Sequence, residues 1–386
     1  MFLSWVEAFI LTVLSLFFLR TLLCHLLTWR HLIGNRISPS LDTRLPPISI
    51  IKPVCGLDQE ADANFLSFIQ SNYAAPFEVI FCVEDRRDPA VPLIRRLIAN
   101  TQPPGEARLV FSKRQDEREI GKTINLMAGI RESRYEVLIL SDSDVRTTPG
   151  FLEELAGSVL DPPTGLAYAW PAYKEAKEWP AALMGVVVNE TILTLALADP
   201  LTAIACTIAI RKDVLRSIGG LAALRHRIGL DAALGRSIRS KGFHVKRIGQ
   251  PATIVYPHGT LHEWRRQVHR WLVTIRRYGG LVYFFSLFLE FPIFWATVYL
   301  LLAIVQGKSL QGLALWTSIL AVRLLSLTAV QLLFVKERGS WRYLWLAAVL
   351  DFLKIPLWLE SYLDPYVVWH GKKYRVMADA TVRPVT

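Results

Sequence analysis

Two aspartates, Asp142 and Asp144, follow a short apolar run in the stretch LILSDSDVR. Acids that alternate at the end of a strand present two carboxylates toward one ligand. Oxygen ligands of this kind suit Mg2+ or Mn2+ when the ion holds a diphosphate. Because Asp and Ser are also common turn and helix-capping residues after strands, the same pattern is typical of an ordinary turn.

Another acid, Asp85, ends a second apolar run in VIFCVEDRRDPA. A carboxylate there either accepts hydrogen bonds from a nucleobase or ribose, or is a solvated turn residue. Between the two runs lies IGKTINLMAGI, in which Lys122 offers a point charge for phosphate and Asn125 offers an amide. The alternative for Lys122 is a surface lysine that begins a helix.

A lone acid, Asp231, lies between Leu230 and Ala232 in an otherwise apolar, helix-forming stretch. It either caps a helix or is held for use as a base. Desolvation would favour the second role, because it raises the pKa of a carboxylate and makes it a better proton acceptor. The residues alone leave both interpretations open.

The stretch 265–271, RRQVHRW, precedes a long apolar tract. On a helix, Gln267, Arg270 and Trp271 share one side through their spacing. An adjoining apolar stripe consists of Trp264, Val268, Leu272 and Ile275. The stripe predicts a helix on the membrane surface, with basic residues toward anionic headgroups. Lipid binding explains the arginines but does not require Gln267.

The elements that position these residues follow from the hydrophobic pattern of residues 46–257. Short apolar runs alternate there with amphipathic stretches, which predicts an α/β domain with a mostly parallel sheet covered on both faces. Three of the predicted strands end in acid-bearing turns. The acids are therefore expected at the carboxyl edge of the sheet, where ligands of such folds bind.

The composition of the 386-residue chain also requires membrane segments and excludes some classes of function. With 52% hydrophobic residues and a mean hydropathy of +0.31, the chain is too apolar for an ordinary soluble protein. The formal net charge of +11 suggests an anionic lipid surface or a phosphorylated ligand. Nucleic acid is not expected, because the charge clusters beside apolar runs. The four cysteines are scattered without a CxxC pair, so we expect reduced, packed thiols rather than disulfides or a zinc site.

The apolar tracts predict three membrane spans, at residues 1–29, 281–305 and 313–335. Basic residues after the first tract place the catalytic domain in the cytoplasm. A fourth tract, 343–363, carries two charged residues and a proline in its middle. Such charges are costly in hydrocarbon, which favours a re-entrant or interfacial segment there. The predicted domains, in chain order, are the span 1–29, the catalytic domain 46–257, an interfacial helix 258–280, membrane segments 281–363 and a cytoplasmic tail 364–386.

Taken in order, the motifs resemble the membrane-bound, family 2-like glycosyltransferases of the GT-A fold, and most closely the ceramide glucosyltransferase family, family 21. The similar blocks are IKPVCGLD, CVEDRRDPA, INLMAG, SDSDVR, IRKDVL with SIGGL, and RRQVHRW. They cover residues 46–278, with a weaker similarity in WHGKKYRV. The hopanoid-linked glycosyltransferases are similar in the same blocks.

The resemblance implies a GT-A nucleotide-sugar-binding domain and a donor role for five residues. Asp85 would contact the uridine of a UDP-sugar. Asp142 and Asp144 would hold the sugar nucleotide and its Mg2+ or Mn2+. Lys122 and Asn125, in the matching loop, would lie near the nucleotide and help to bind it.

The resemblance also implies the catalytic base and a Q-x-x-R-W element. Asp231 would be the base, and Gln267, Arg270 and Trp271 would form the element. Arg270 would lie near the diphosphate and Trp271 near the acceptor. The stretch GLDAALG lacks the acidic and aromatic residues that often flank this aspartate in the family, so the acceptor preference could differ.

The implied reaction is inverting transfer of a sugar, with glucose as the implied sugar, from a UDP-sugar to the hydroxyl of a membrane lipid such as ceramide. A hopanoid or another lipid is an alternative acceptor. A processive polysaccharide synthase would use similar motifs but normally needs more spans, and a membrane-anchored nucleotide-sugar-binding protein would not need the complete set of acids. The lack of a KDEL-type ending favours a bacterial inner membrane over the ER or Golgi.

Overall fold

The computed structural model describes residues 2–34, 45–101, 105–198, 203–369 and 371–385, and it divides into two compact units. The helical unit comprises Met1–Arg30, Glu175–Ala196 and Pro257–Val368. The sheet unit comprises His31–Lys174, Leu197–Tyr256 and Trp369–Thr386. Residues 175–196, which fall inside the predicted catalytic domain, thus group with the helices, and most of the predicted tail groups with the sheet.

The described strands and helices follow the predicted alternation of strand and helix in the sheet unit. The strands are β1 (Ile48–Val54), β2 (Phe77–Val83), β3 (Glu106–Phe111), β4 (Val137–Ser141), β5 (Val145–Arg146), β6 (Thr164–Ala169), β7 (Pro171–Lys174), β8 (Thr207–Arg211), β9 (His244–Arg247), β10 (Ala252–Val255), β11 (Tyr366–Trp369), β12 (Lys372–Val376) and β13 (Val382–Pro384). The helices are α1 (Phe2–Gly34), α2 (Ala61–Ile69), α3 (Ala90–Asn100), α4 (Gly121–Glu132), α5 (Phe151–Ser158), α6 (Trp179–Asn189), α7 (Thr191–Ala198), α8 (Lys212–Ser217), α9 (Leu230–Ser240), α10 (Leu261–Gly279), α11 (Leu281–Leu289), α12 (Pro292–Val305), α13 (Ser309–Ala329) and α14 (Ala347–Leu363).

A seven-stranded sheet of order β3-β2-β1-β4-β8-β6-β9 forms the centre of the sheet unit. Strands β3, β2, β1 and β4 pair in parallel, and β9 pairs in parallel with β6. Strand β8 runs antiparallel to both β4 and β6. Every residue of β1, β2 and β4 is buried, as expected for strands covered on both faces. The predicted α/β fold with a mostly parallel sheet is confirmed.

Apolar helix faces pack on this sheet. On one face, the core combines strand residues such as Ile50 and Phe81 with Phe65 of α2, Ile94 of α3 and Leu155 of α5. Helix α4 packs closely on β1 and β2. This approach depends on Gly129, because a Cβ there would clash with side chains of both strands.

The helical unit contains two helical segments long and apolar enough to cross a membrane, among the residues that the structure describes: Leu3–Ile33 and Ser309–Val335. The predicted span at 281–305 is a pair of helices, α11 and α12, bent by 55° at the break between them. The proline that begins α12 lacks an amide hydrogen, so it suits a helix start and interrupts the preceding helix. The break follows the interruption of this tract by Glu290 and Pro292 in the sequence, and the pair is either a broken span or a re-entrant loop, so a span at 281–305 stays a prediction.

Buried charges in the helical unit have hydrogen-bond or ion-pair partners. The side chain of Asp351, which is 0% exposed, accepts hydrogen bonds from the backbone amides of Ile293 at 2.7 Å and Phe294 at 3.3 Å, at the start of α12. Arg323 of α13 binds both carboxylate oxygens of Glu190, at 2.5 and 3.0 Å. These pairs explain how charged residues are accommodated in apolar tracts, because an unpaired buried charge would be strongly unfavourable.

Candidate active site

The turn after β4 carries Asp142 and Asp144 and is held from both sides by neighbouring strands. The backbone amide of Asp142 donates to the carbonyl oxygen of Cys206, just before β8, at 2.9 Å. On the other side, Nζ of Lys52 in β1 donates to the carbonyl oxygen of Asp142 at 2.7 Å. The two aspartates therefore project from a backbone that the central strands fix in place.

The second residue of α4, Lys122, forms an ion pair with Asp142. The distance between Nζ and Oδ1 is 2.5 Å, and each side chain is 30% exposed. Burial by itself lowers the pKa of Lys122, but the carboxylate of Asp142, and beyond it that of Asp231, raise this pKa above its usual value. The ammonium group thus stays charged at neutral pH and partly neutralises the acids around it.

The carboxylate of Asp144 is suited to a cation. Its Oδ1 atom is buried and has no hydrogen-bond partner among the described residues. Burial, together with the nearby carboxylates of Asp142 and Asp58, raises the pKa of Asp144 to about 7. A buried, unpaired oxygen beside other carboxylates fits a hard divalent ion such as Mg2+ or Mn2+, which takes oxygen ligands. Asp58 was not predicted as a site residue, although it lies in the quoted block IKPVCGLD; its Oδ2 accepts a hydrogen bond from the Ser143 hydroxyl at 2.5 Å.

The first turn of α9 carries Asp231. Its Oδ2 accepts a hydrogen bond from the backbone amide of Ala205 at 2.9 Å. Burial raises the pKa of Asp231, and the Ala205 amide and Lys122 only partly oppose this effect. One pocket in the sheet unit is lined by Lys122, Leu126, Leu140, Asp142, Ala205, Cys206, Ile208, Leu230, Asp231 and Leu234. The structure thus brings the ion pair at the end of β4 and the isolated acid of α9 to the same cavity.

The loop that precedes α9 is supported by the C-terminal segment of the sheet unit. The amide of Val382 in β13 donates to the carbonyl oxygen of His226 at 2.9 Å, and the amide of Ile228 donates to that of Ala380 at 3.0 Å. Strand β13 in turn pairs antiparallel with β12. The sequence carries no local signal for this contact, which positions the approach to Asp231.

The turn after β2 places Asp85 apart from this pocket. Its side chain is 67% exposed, and its Oδ1 accepts a hydrogen bond from the amide of Arg87 at 2.9 Å. Because β1 separates β2 from β4 in the sheet, the strand ends lie about 10 Å apart, twice the usual spacing of neighbouring strands. Asp85 and Asp142 therefore share the carboxyl edge of the sheet without sharing the pocket.

The side chain of Asn125 is buried and hydrogen-bonded between α4 and the neighbouring strands. The residue is 2% exposed. Its Oδ1 accepts a hydrogen bond from the Ser112 hydroxyl at 2.5 Å, and its Nδ2 donates to the carbonyl oxygen of Val54 at 3.1 Å. Since both ends of the amide are bonded inside the protein, Asn125 joins α4 to the ends of β1 and β3. These bonds position the loops, and a role of Asn125 near the nucleotide stays a prediction.

Sequence reasoning missed Lys52, a lysine in the apolar strand β1. It is fully buried, and its Nζ lies 3.8 Å from the centre of the Phe68 ring as well as bonding to the Asp142 carbonyl. Burial lowers the pKa of Lys52 to about 7, although Asp144 and Asp142 oppose the shift. The signal in the sequence was a lysine inside the apolar run ISIIKPV. A lysine that is buried in such a strand is expected to have a partner.

The thiols differ in part from the expectation of packed cysteines. All four are free, and Cys24 and Cys82 are buried. Cys206 is partly buried at the pocket, where burial and the neighbouring acids Asp142 and Asp144 raise its pKa. Cys55, in contrast, is exposed, because it follows the end of β1 at the surface of the loop.

The predicted Q-x-x-R-W residues, Gln267, Arg270 and Trp271, lie half-buried on α10 of the helical unit. The helix begins with a capping box in which the Thr260 hydroxyl and the Glu263 amide pair, and Glu263 in return accepts from the Thr260 amide. That these side chains meet the pocket of the sheet unit stays a prediction.

The apolar stripe of α10 is buried against protein rather than left for lipid. Trp264, Val268 and Leu272 are 3%, 1% and 7% exposed, and only Ile275 of the predicted stripe is open, at 47%. Helix α10 packs against α14 and α6. These helices come from segments before and after α10 in the chain, so a pattern along α10 alone cannot anticipate the burial of its stripe. That α10 lies at the membrane surface stays a prediction.

Comparisons with known proteins agree with this fold. The chain matches glycosyl transferase family 21 over residues 8–382. It is 24% identical to ceramide glucosyltransferase 1 of Caenorhabditis elegans over 246 residues, which cover 62% of this chain and 51% of that relative. It is 29% identical to the ceramide glucosyltransferase of Candida albicans over 116 residues, covering 28% of this chain and 21% of that relative. The chain thus spans about half the length, or less, of these curated relatives.

Among solved structures, the mannosyltransferase PcManGT of Pyrobaculum calidifontis, in complex with GDP-Man and Mn2+, aligns with a TM-score of 0.50 at 16% identity. The alignment covers 90% of this chain and 98% of that chain. At this identity the likeness concerns the fold alone, which is that of the GT-A glycosyltransferases. With a family match that extends over most of its length and a mostly parallel sheet that ends in the expected acids, the chain belongs to glycosyl transferase family 21, a family of sugar-transferring enzymes.

Proposed function

We propose that this protein transfers a sugar, with inversion, from a UDP-sugar to the hydroxyl of a membrane lipid, with glucose and ceramide as the donor sugar and acceptor. The observation that carries the proposal is the pocket that Lys122, Asp142 and Asp231 line together. It combines a cation for phosphate with an isolated acid of raised pKa. The names of the curated relatives support glucose and ceramide.

The donor would bind along the carboxyl edge of the sheet. Asp142 and Asp144 would hold Mg2+ or Mn2+, a choice supported by the unpartnered Oδ1 of Asp144. When bound, the ion supplies positive charge that offsets the charge on the diphosphate. Lys122 would add a point charge on the phosphate side, and Asp85, two strands away, would accept hydrogen bonds from the uridine.

Asp231 would be the general base. The Ala205 amide donates to its Oδ2 and holds the carboxylate at the pocket that it lines, where it would take the acceptor proton. As Asp231 takes the proton of the lipid hydroxyl, the hydroxyl oxygen forms a bond to the anomeric carbon and the bond to the UDP oxygen breaks. The electron pair of the broken bond leaves with UDP. Because the oxygen attacks from the face opposite UDP, this single displacement inverts the anomeric centre.

The helical unit suits an acceptor that stays in the bilayer. Moving a lipid chain into water costs about 0.8 kcal/mol for each exposed CH2 group, so transfer at the membrane avoids a large penalty. Two segments in this unit are long and apolar enough to cross a membrane, among the described residues. On α10, Arg270 would neutralise charge developing on the diphosphate, and Trp271 and Gln267 would contact the acceptor side.

The test is Asp231→Asn in the full-length protein, assayed with UDP-glucose and ceramide in detergent or nanodiscs. The loss of the base should lower kcat by about 10^2 to 10^4-fold, while the affinity for UDP-glucose stays nearly unchanged. Asp62→Asn on the exposed side of α2 is the matched control and should be fully active. Undiminished turnover in Asp231→Asn would remove Asp231 from the mechanism. Mass spectrometry of lipids from an expressing host identifies the sugar and acceptor, and a polymeric product would point to a polysaccharide synthase instead.

A further inference from the structure

A second group of metal-ligating side chains lies in the helical unit, away from the predicted aspartates. His269 belongs to α10, Glu360 belongs to α14, and Asp364 follows the last residue of α14. One donor atom from each of the three lies within 4.8 Å of the other two. Since α10 and α14 pack against each other, the group is produced by tertiary contact and not by a local sequence motif.

The histidine of this group is buried with one ring nitrogen unpaired among the described residues. His269 is 8% exposed, and its Nε2 atom is buried without a hydrogen-bond partner in the part of the chain that the structure describes. A buried polar nitrogen that is left unpaired is unfavourable, so native proteins rarely keep one. One ring nitrogen of His269 lies within 4.8 Å of an oxygen of each carboxylate, and a cation shared by the three side chains would satisfy the unpaired nitrogen.

Both carboxylates have oxygen lone pairs available to coordinate such a cation. Asp364 uses Oδ1 to accept a hydrogen bond from the Tyr366 amide at 2.8 Å, which leaves Oδ2 available. Glu360 accepts from one nitrogen of Arg265, at 2.6 and 2.9 Å to its two oxygens. Each carboxylate oxygen has a second lone pair, so Arg265 orients Glu360 without filling it. Outer partners of this kind are typical of metal-binding carboxylates.

We propose that His269, Glu360 and Asp364 bind a divalent transition-metal ion, with Zn2+ as the best match. Imidazole nitrogen together with carboxylate oxygen suits Zn2+, whereas Mg2+ and Ca2+ prefer oxygen alone. Zinc bonds of about 2.0–2.2 Å place donors of a tetrahedral ion about 3.3 Å apart, so small side-chain rotations would close the site. The fourth position is left for water. The ion would cross-link α14 to α10, the helix that carries Gln267 and Arg270.

The test measures metal binding by the purified full-length protein in detergent after removal of metals with EDTA. Zn2+ is titrated and counted per chain, and Co2+ serves as a spectroscopic probe because a nitrogen ligand and low coordination number strengthen its visible absorption. Loss of a residue that only hydrogen-bonds to a metal ligand typically weakens metal binding by about 10 to 100-fold. His269→Gln removes a ligand itself, so it should weaken Zn2+ binding by more than this. His262→Gln, at an exposed position of the same helix, is the matched control and should bind Zn2+ like the unmodified protein.

Asp364→Asn provides an independent variant, because asparagine keeps the oxygen that accepts from Tyr366 but removes the negative charge. It should also lose Zn2+ and the Co2+ absorption, and Zn2+ should raise the melting temperature of the unmodified protein and of His262→Gln but not that of His269→Gln or Asp364→Asn. Equal Zn2+ affinity in the unmodified protein, His269→Gln and Asp364→Asn would overturn the proposal, as would an unmodified protein that takes up no Zn2+. Uptake lost in Asp144→Asn but retained in His269→Gln would overturn it too, since the ion would then bind in the sheet unit.

Discussion

The raised pKa of Asp144 leads to a specific dependence of metal binding on pH. With a pKa of about 7, the side chain holds a proton for much of the physiological range in the absence of metal. A divalent ion binds the ionised form and must displace that proton. We therefore expect the affinity for Mn2+, measured in the presence of UDP, to fall as the pH is lowered through 7.

The size of the effect follows from the fraction of Asp144 that is ionised. For a pKa of about 7 this fraction is about 0.9 at pH 8 and about 0.1 at pH 6. The apparent Kd for Mn2+ should thus rise about tenfold between pH 8 and pH 6. At pH 7, binding of one ion should release about half a proton.

Lowering the pH should weaken Mn2+ binding but should raise the free energy of unfolding of the metal-free protein. Because the pKa of Asp144 is raised above its unfolded value, the folded state binds more protons than the unfolded state between about pH 4 and pH 7. The contribution of Asp144 to the free energy of unfolding is therefore fully present below about pH 4 and is lost as the pH rises through 7. Added Mn2+ should raise the melting temperature more at pH 8 than at pH 6.

Isothermal titration calorimetry in two buffers of different ionisation enthalpy measures both the affinity and the protons released. Asp144→Asn should bind Mn2+ weakly and without this pH dependence, whereas Asp62→Asn should behave like the unmodified protein. An affinity that is constant from pH 6 to pH 8, or a full pH dependence that persists in Asp144→Asn, would refute the assignment of Asp144 as a metal ligand.

Two further substitutions test residues that position the site. Asn125→Ala should lower the free energy of unfolding by about 1–3 kcal/mol in thermal or denaturant unfolding, because its buried partners lose their hydrogen bonds. The affinity for UDP should be unchanged. Lost UDP binding at normal stability would instead show that Asn125 contacts the ligand. Val382→Pro removes the amide that donates to the His226 carbonyl, in the loop that leads to Asp231. If the poorer placement of Asp231 raises the activation free energy by about 1 kcal/mol, kcat should fall about fivefold. Val385→Pro, which loses only a bond within the terminal hairpin, is its control, and equal kcat in both variants would argue against this support.

Much of the site could be predicted because strand ends and turns are local features. The runs that became β2 and β4 are apolar and short, and each is followed by acids, so Asp85 and Asp142 could be assigned to one edge of the sheet before the fold was known. Lys122 and Asn125 show the limit of this reasoning. They lie three residues apart on α4, yet one pairs with Asp142 and the other is buried between loops.

The residues that were missed depend on contacts between distant parts of the chain. Lys52 reaches the Asp142 carbonyl from the neighbouring strand β1, and the C-terminal strand β13 supports the loop before Asp231. Neither contact is indicated by hydrophobic periodicity or by a turn motif in the sequence. Which side chain meets which backbone group is decided by strand order and packing, and these are settled only when the whole unit folds.

By itself, the sequence determined the alternation of strands and helices, the acids at strand ends and the apolar tracts, because hydrophobic period and turn chemistry act over a few residues. Tertiary structure alone decided the covering of the α10 stripe and the meeting of His269 with Glu360 and Asp364. Those features arise where segments far apart in the chain bury surface against one another, and no window along the sequence contains both partners.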